Sequence, residues 1–175
     1  RGQSRRNLQE LQALEDAIHG LGRLGVPVGK YSRIFIVDPL YGDDDNTGLS
    51  LDTPKKSVAS ALADCVTNRN DTIVMVGGPT ADAITAAITW DKSYTHLVGL
   101  SADLAVGQRC RITGGTATDL AALVTVSGNG CIFRNVQFAN FADKDEDSGA
   151  VLGPGGKALV QTSVIAGMRH AAPCA

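Results

Sequence analysis

The chain has 175 residues, of which 43% are hydrophobic and 19% charged, and its formal net charge is −2. That length suffices for one domain with a continuous core. The near-neutral balance excludes a general electrostatic grip on nucleic acid or anionic membrane, and no apolar run approaches membrane-spanning length.

Glycine is frequent at 20 residues and aromatic residues are scarce at 5%, which favours a stacked, repetitive architecture over a core built on aromatic bulk. Cys65, Cys110, Cys131 and Cys174 have no CxxC spacing, so they read as buried free thiols rather than zinc ligands. The sequence starts with Arg rather than Met and shows no signal-peptide pattern, so a preceding segment is expected to be missing.

Residues 4–19, SRRNLQELQALEDAIH, predict a helix. Leu11, Leu14, Ile18 and Leu21 form its apolar stripe, and Gln9, Glu10, Gln12 and Glu15 keep the other faces wet. Gly20, Gly22 and Gly25 end it. A helix this short must pack on something. The stripe is the predicted oligomerisation or attachment element; the alternative is that it folds back over its own domain. Residues 1–25 are therefore set apart as helix and linker, and residues 26–175 as the main domain.

Ile34–Pro39 predicts a short strand. The polar stretch LYGDDDNTGLSLDTPKK follows, then a helix with Val58, Ala61, Leu62, Cys65 and Val66 on one face and Thr53 or Ser57 as its cap. Thr72–Val76 is a strong strand. Further strands are predicted over Ala83–Trp90, Thr95–Leu100, Arg109–Gly114, Leu123–Gly128, Cys131–Phe141 and Ala158–Met168. Val124–Phe141 and Val151–Met168 match at one constant offset, with Val124 against Val151, Ile132 against Leu159, Phe133 against Val160 and Phe138 against Ile165. A repeat of roughly 20 to 30 residues with short strands fits the coils of a parallel β-helix, whose coils stack on one shared core.

The stretch from Ile34 to Gly78 resembles the leading module of right-handed parallel β-helix proteins of the pectate-lyase-like superfamily. The matching residues are Val37, Asp38, Gly42, Asp43, Asp45, Gly48, Leu49, Ser50, Thr53, Pro54, Lys55, Ser57, Val58 and Asp71–Val74. The resemblance implies an all-β fold: a right-handed parallel β-helix, or short solenoid, with an N-terminal α-helix and a capping helix before the first coil. With NRNDTIVMVGG and the alanine- and threonine-rich coil after it, this module is similar to structural proteins of tailed bacteriophages. That likeness implies a homotrimeric virion protein assembled in the host cytoplasm, such as a capsid decoration or head-fibre subunit. It would touch the major capsid protein or another virion protein, with no nucleic acid, membrane or cofactor as partner.

Asp38, Asp43 and Asp45 are the calcium candidates, because hard cations favour clustered oxygen ligands. The EF-hand pattern is not met, and architecture is the preferred reading of this loop. Asp82, Asp91, Asp103 and Asp119 are spaced as isolated turn residues, and DKDED (143–147) as a solvated loop. Arg109, Arg111 and Arg134 alternate on strands and are expected to face outward. His96 and His170 have no partner nearby in sequence, and Trp90 could offer one sugar contact. No catalytic residue is assigned. The alternative is a tailspike-type receptor-binding fragment, or a polysaccharide lyase or glycoside hydrolase, the last requiring two carboxylates across one bond. RHAAPCA offers no amphipathic cap, so the chain is expected to continue or a partner to cover its end.

Overall fold

Alternating apolar residues between Asn, Gly and Ser turns produce short strands, and the computed structural model arranges them as an all-β fold in parallel sheets, with one short helix among the described residues. It describes residues 29–101, 110–114, 120 and 122–139, together with the backbone of residues 158–161 and 164–166. The predicted helix over residues 4–19, with Leu11, Leu14, Ile18 and Leu21, lies outside the described residues. So do Asp103, Arg109, Asp119, residues 143–147, His170 and Cys174.

The elements run β1 (Ile34–Val37), α1 (Val58–Asp64), β2 (Asp71–Val76), β3 (Asp82–Ile84), β4 (Ile88–Trp90) and β5 (Thr95–Leu100). They continue with β6 (Arg111–Gly114), β7 (Val124–Val126), β8 (Cys131–Arg134), β9 (Gln137–Ala139), β10 (Ala158–Gln161) and β11 (Val164–Ala166). One sheet has the order β1-β2-β5-β8-β10, a second β11-β9-β6-β3, and a third pairs β4 with β7. All of these pairings are parallel. The chain passes through the three sheets in the same order on successive passes. Within the first sheet, Asp71 is carried to Thr95, His96 to Ile132 and Cys131 to Ala158.

The predicted repeat register holds, with Ile132 beside Leu159, Phe133 beside Val160 and Phe138 beside Ile165. The middle pass, from His96 to Ile132, is longer than the passes on either side and longer than the repeat predicts. Three predicted strands also divide. Ala83–Trp90 breaks into β3 and β4, Cys131–Phe141 into β8 and β9, and Ala158–Met168 into β10 and β11. The halves of each lie in different sheets, and a corner separates those of the first two. Asn135, at φ 53°, makes the second corner, and its side-chain amide donates to the Gly99 carbonyl at 3.0 Å. Asparagine tolerates the left-handed backbone this requires.

Phe35, Ile73, Leu97 and Phe133 lie in one register row of the first sheet and point into the core, where Ile84, Ile112 and Phe138 of the second sheet and Ile88, Trp90 and Val124 close around them. Trp90 and Phe133 meet edge to face at 4.8 Å, and Phe133 and Phe138 at 6.1 Å. Gly99 faces the core one row further along, where a Cβ would collide with the Asn135 carbonyl oxygen. Cys110 takes the space beside it, its thiol donating to the Met75 carbonyl at 3.0 Å.

Ser57 is the cap of α1: its hydroxyl accepts from the Ser60 N–H at 3.1 Å. Thr53 instead bonds Ser50 at 3.0 Å. Val58, Ala61 and Leu62 are buried against the core, and Cys65 follows them. Val66 does not join this face. It is 47% exposed, because the helix ends at Asp64 and the backbone turns extended at Cys65.

Candidate functional site

The polar stretch between β1 and α1 concentrates acids, and the structure shows where each is spent. Asp38 accepts from the Leu40 and Tyr41 N–H groups at 2.9 and 3.2 Å. Asp43 accepts from the Asp45 N–H at 3.0 Å. Asp44 accepts from the N–H groups of Lys56 and Ser57, at 3.1 and 2.8 Å, and from the Ser57 hydroxyl at 2.9 Å. These bonds are local turns and a helix-start clamp. Among the described residues, no group of three or more His, Cys, Asp or Glu side chains is placed to hold a metal ion. The calcium candidates Asp38, Asp43 and Asp45 are thus not brought together.

Lys55 organises the same loop from inside. It is 5% exposed, although its charge would favour water. Its ammonium donates to the Asp44 carbonyl and the Ser60 hydroxyl, both at 3.1 Å, and pairs with Asp64 at 3.0 Å. Its backbone brackets β1: Asp38 N–H donates to Lys55 O, and Lys55 N–H donates to Ile36 O. Gly42 packs so closely on this strand that a Cβ there would overlap the Lys55 carbonyl.

Two further acids anchor α1. Asp82, expected in a turn, instead sits on β3 and accepts from the Val58 N–H at 2.8 Å. Burial pushes its carboxyl up, against the lowering effect of that hydrogen bond. Asp71, fully buried at the start of β2, accepts from the N–H groups of Arg33 and Val66, both at 2.8 Å. Arg69 grips it at 2.6 Å. Burial alone would raise the Asp71 carboxyl, but Arg69 and the two N–H groups outweigh it and hold the acid below its ordinary range.

At the other end of α1, Lys92 donates to the carbonyls of Leu62, Ala63 and Cys65 at 2.7, 2.6 and 2.6 Å. A cation there satisfies carbonyls that the helix end leaves open and complements its dipole. Spacing gives no signal for this contact, since Lys92 lies far beyond its partners in sequence. A cavity of about 290 Å³ opens between α1 and β4, lined chiefly by Ala59, Leu62, Ala63, Ile88, Thr89 and Lys92. Among the described residues Asp91 is the one carboxylate in its lining, which gives no acid pair there of the kind glycoside hydrolysis needs. Trp90 is not a sugar platform. It is 1% exposed, and its indole N–H donates to the Thr95 hydroxyl at 2.7 Å.

Arg111 and Arg134 point away from the core, as expected from their alternation with buried neighbours. Burial pushes the Cys65 thiol up to about 12 and the Cys110 thiol up to about 11, which leaves both as unreactive core residues.

His96 is fully buried on β5. Its Nε2 lies 3.4 Å from Asn70 Oδ1, and its Nδ1 has no hydrogen-bond partner among the described residues. Oδ1 can only accept, so in this contact Nε2 is the donor. Burial lowers its pKa to about 4, with Asp71 pulling weakly the other way. Between about 6.5 and that value the unfolded chain binds more protons than the folded one, so stability falls as pH falls through this window. The expected loss is on the order of 3 kcal/mol. Urea unfolding at pH 7 and pH 4 measures it, and His96→Phe removes the part of the slope lying in that window. An unchanged slope in that variant would place the effect elsewhere.

No family model, curated protein or solved structure matches this chain.

Proposed function

We propose that the three-sheet domain is a right-handed parallel β-helix and that the protein is a structural subunit of a tailed-bacteriophage virion, in a capsid-decoration or head-fibre role. Repeated in-register passes through the same three sheets support the fold, and parallel crossovers are overwhelmingly right-handed. One observation carries the role: the polar side chains of the leading module with resolved contacts are spent on the fold. Asp38, Asp43, Asp44 and Lys55 all bond backbone atoms. The resemblance of this module to phage β-helix proteins supplies the virion setting. In this role α1 covers the first pass and blunts strand edges that would otherwise template aggregation.

The mass of the purified full chain in solution, by light scattering, tests the reading. A trimer with no action on capsular polysaccharides is expected. A monomer that depolymerises such a polysaccharide would replace this role with the tailspike-type one.

A further inference from the structure

The leading edges of two sheets are finished differently. β1 is the first strand of the five-stranded sheet, and the loop after it closes that edge. The Ile36 N–H donates to the Gly48 carbonyl at 2.6 Å, and the Ile36 carbonyl accepts from the Lys55 N–H at 2.9 Å. β4 is the first strand of the third sheet, and there the preceding pass supplies α1 instead of a strand. A helix spends its backbone groups on itself and offers none sideways.

The ladder identifies the groups left over. The Ile88 N–H donates to the Leu123 carbonyl at 2.9 Å, and the Trp90 carbonyl accepts from the Ser127 N–H at 3.0 Å, so Ile88 and Trp90 face β7. Alternation turns the N–H and C=O of Thr89, between them, to the opposite side. Among the described residues neither group has a hydrogen-bond partner. Thr89 is exposed, and it lines the cavity between α1 and β4.

The walls of that cavity are small and fixed. Ala59 and Ala63 line it from α1, Ala86 and Ala87 from the chain entering β4, and all four are exposed. The helix is held at both ends, by Asp82 at the Val58 N–H and by Lys92 at the last carbonyls. A groove held open in this way costs little ordering when it is filled. Charge narrows what fills it. Lys92 is occupied by three carbonyls, and Asp91 takes part in no ion pair among the described residues, so the lining favours a cation.

We infer that this groove docks an extended segment of a partner protein, which adds to β4 as a strand. The Thr89 N–H and C=O pair with the segment's main chain, as in strand addition to any open sheet edge. Small side chains of the segment face Ala59 and Ala63, and a basic side chain meets Asp91. The volume, about 290 Å³, suits the few residues that a three-residue strand can pair. A second copy offers the same edge walled by its own α1, so two such edges meet helix first. A free anion finds no unoccupied cation in the lining. This docking holds whether or not the protein belongs to a virion.

Amide exchange in the full chain, resolved by residue with NMR, is the first test. In the chain alone the Thr89 N–H should exchange at least about tenfold faster than those of Ile88 and Trp90. Equal protection would show that the edge is already paired and would overturn the proposal. Protection that appears only as the chain is concentrated would assign the edge to a second copy and overturn it as well. Peptides selected on the full chain from a displayed random-sequence pool then serve as the probe. The enriched peptides should carry a basic residue and protect the Thr89 amide. N-methylation of one peptide amide should weaken binding about tenfold, the worth of one hydrogen bond. Ala63→Arg, at an exposed position of α1, should abolish binding while the Ile88 and Trp90 amides stay protected, which shows the fold intact. No enriched peptide, or peptides indifferent to both N-methylation and Ala63→Arg, would overturn the proposal.

Discussion

Phe133→Ala should destabilise the domain by about 3–5 kcal/mol, the usual cost of emptying a large aromatic site in a close-packed interior. Phe133 is fully buried and touches two other aromatic rings of the core, Trp90 at 4.8 Å and Phe138 at 6.1 Å. It also holds the middle of a register row, with Leu97 on one side and Val160 on the other. The void would therefore open between successive passes, where neither neighbour can relax into it without leaving its ladder. Urea unfolding followed by the fluorescence of Trp90, the single tryptophan, measures the change directly. A lowered midpoint with an unchanged slope is expected. A cost under about 1 kcal/mol would mean that the rows are not packed against each other as described.

Asp71→Ala should cost a similar amount, about 3–5 kcal/mol, for a different reason. The carboxylate is fully buried and joins three parts of the chain: Arg33 before β1, Val66 after α1, and Arg69 in the turn into β2. Its removal strands two N–H groups and the partly buried Arg69 guanidinium without their acceptor. The direction of its pKa shift adds a pH signature. An acid held below its ordinary range lends stability that is complete above that range and is lost as pH falls through the lowered value. The alanine variant should lose that part of the acid limb. Comparing the unfolding free energies of parent and variant from pH 7 down to pH 3 separates the two. Parallel curves would show that Asp71 contributes no charge-dependent stability.

Strand positions were legible because alternation and turn residues are local signals. Thr95–Leu100 is bounded as the sequence predicts. The match between Val124–Phe141 and Val151–Met168 also predicted the register between the last two passes, since residues stacked in one row share size and polarity. Corners were not legible. Nothing in the apolar run from Cys131 to Phe141 says that Asn135 turns the chain into another sheet, because a left-handed asparagine reads like any polar residue on a strand. The acids were harder still. Asp71 and Asp82 serve partners as far apart in sequence as Arg33 and Val58, and spacing carries no trace of such contacts. His96 was invisible for the same reason: its neighbours are set by register with β2.

Parallel register also sets a unit of length. Each pass through the five-stranded sheet adds one strand to the stack and advances it by about 4.8 Å. The lengthening does not depend on how much chain a corner loop holds. The long pass from His96 to Ile132 moves the stack no further than the short one from Asp71 to Thr95, since each ends one strand along. Insertions widen the object locally and leave its reach unaltered. Such a chain behaves as a ruler graduated in strands, in which loop sequence can drift freely while the span between its two ends changes only by whole steps.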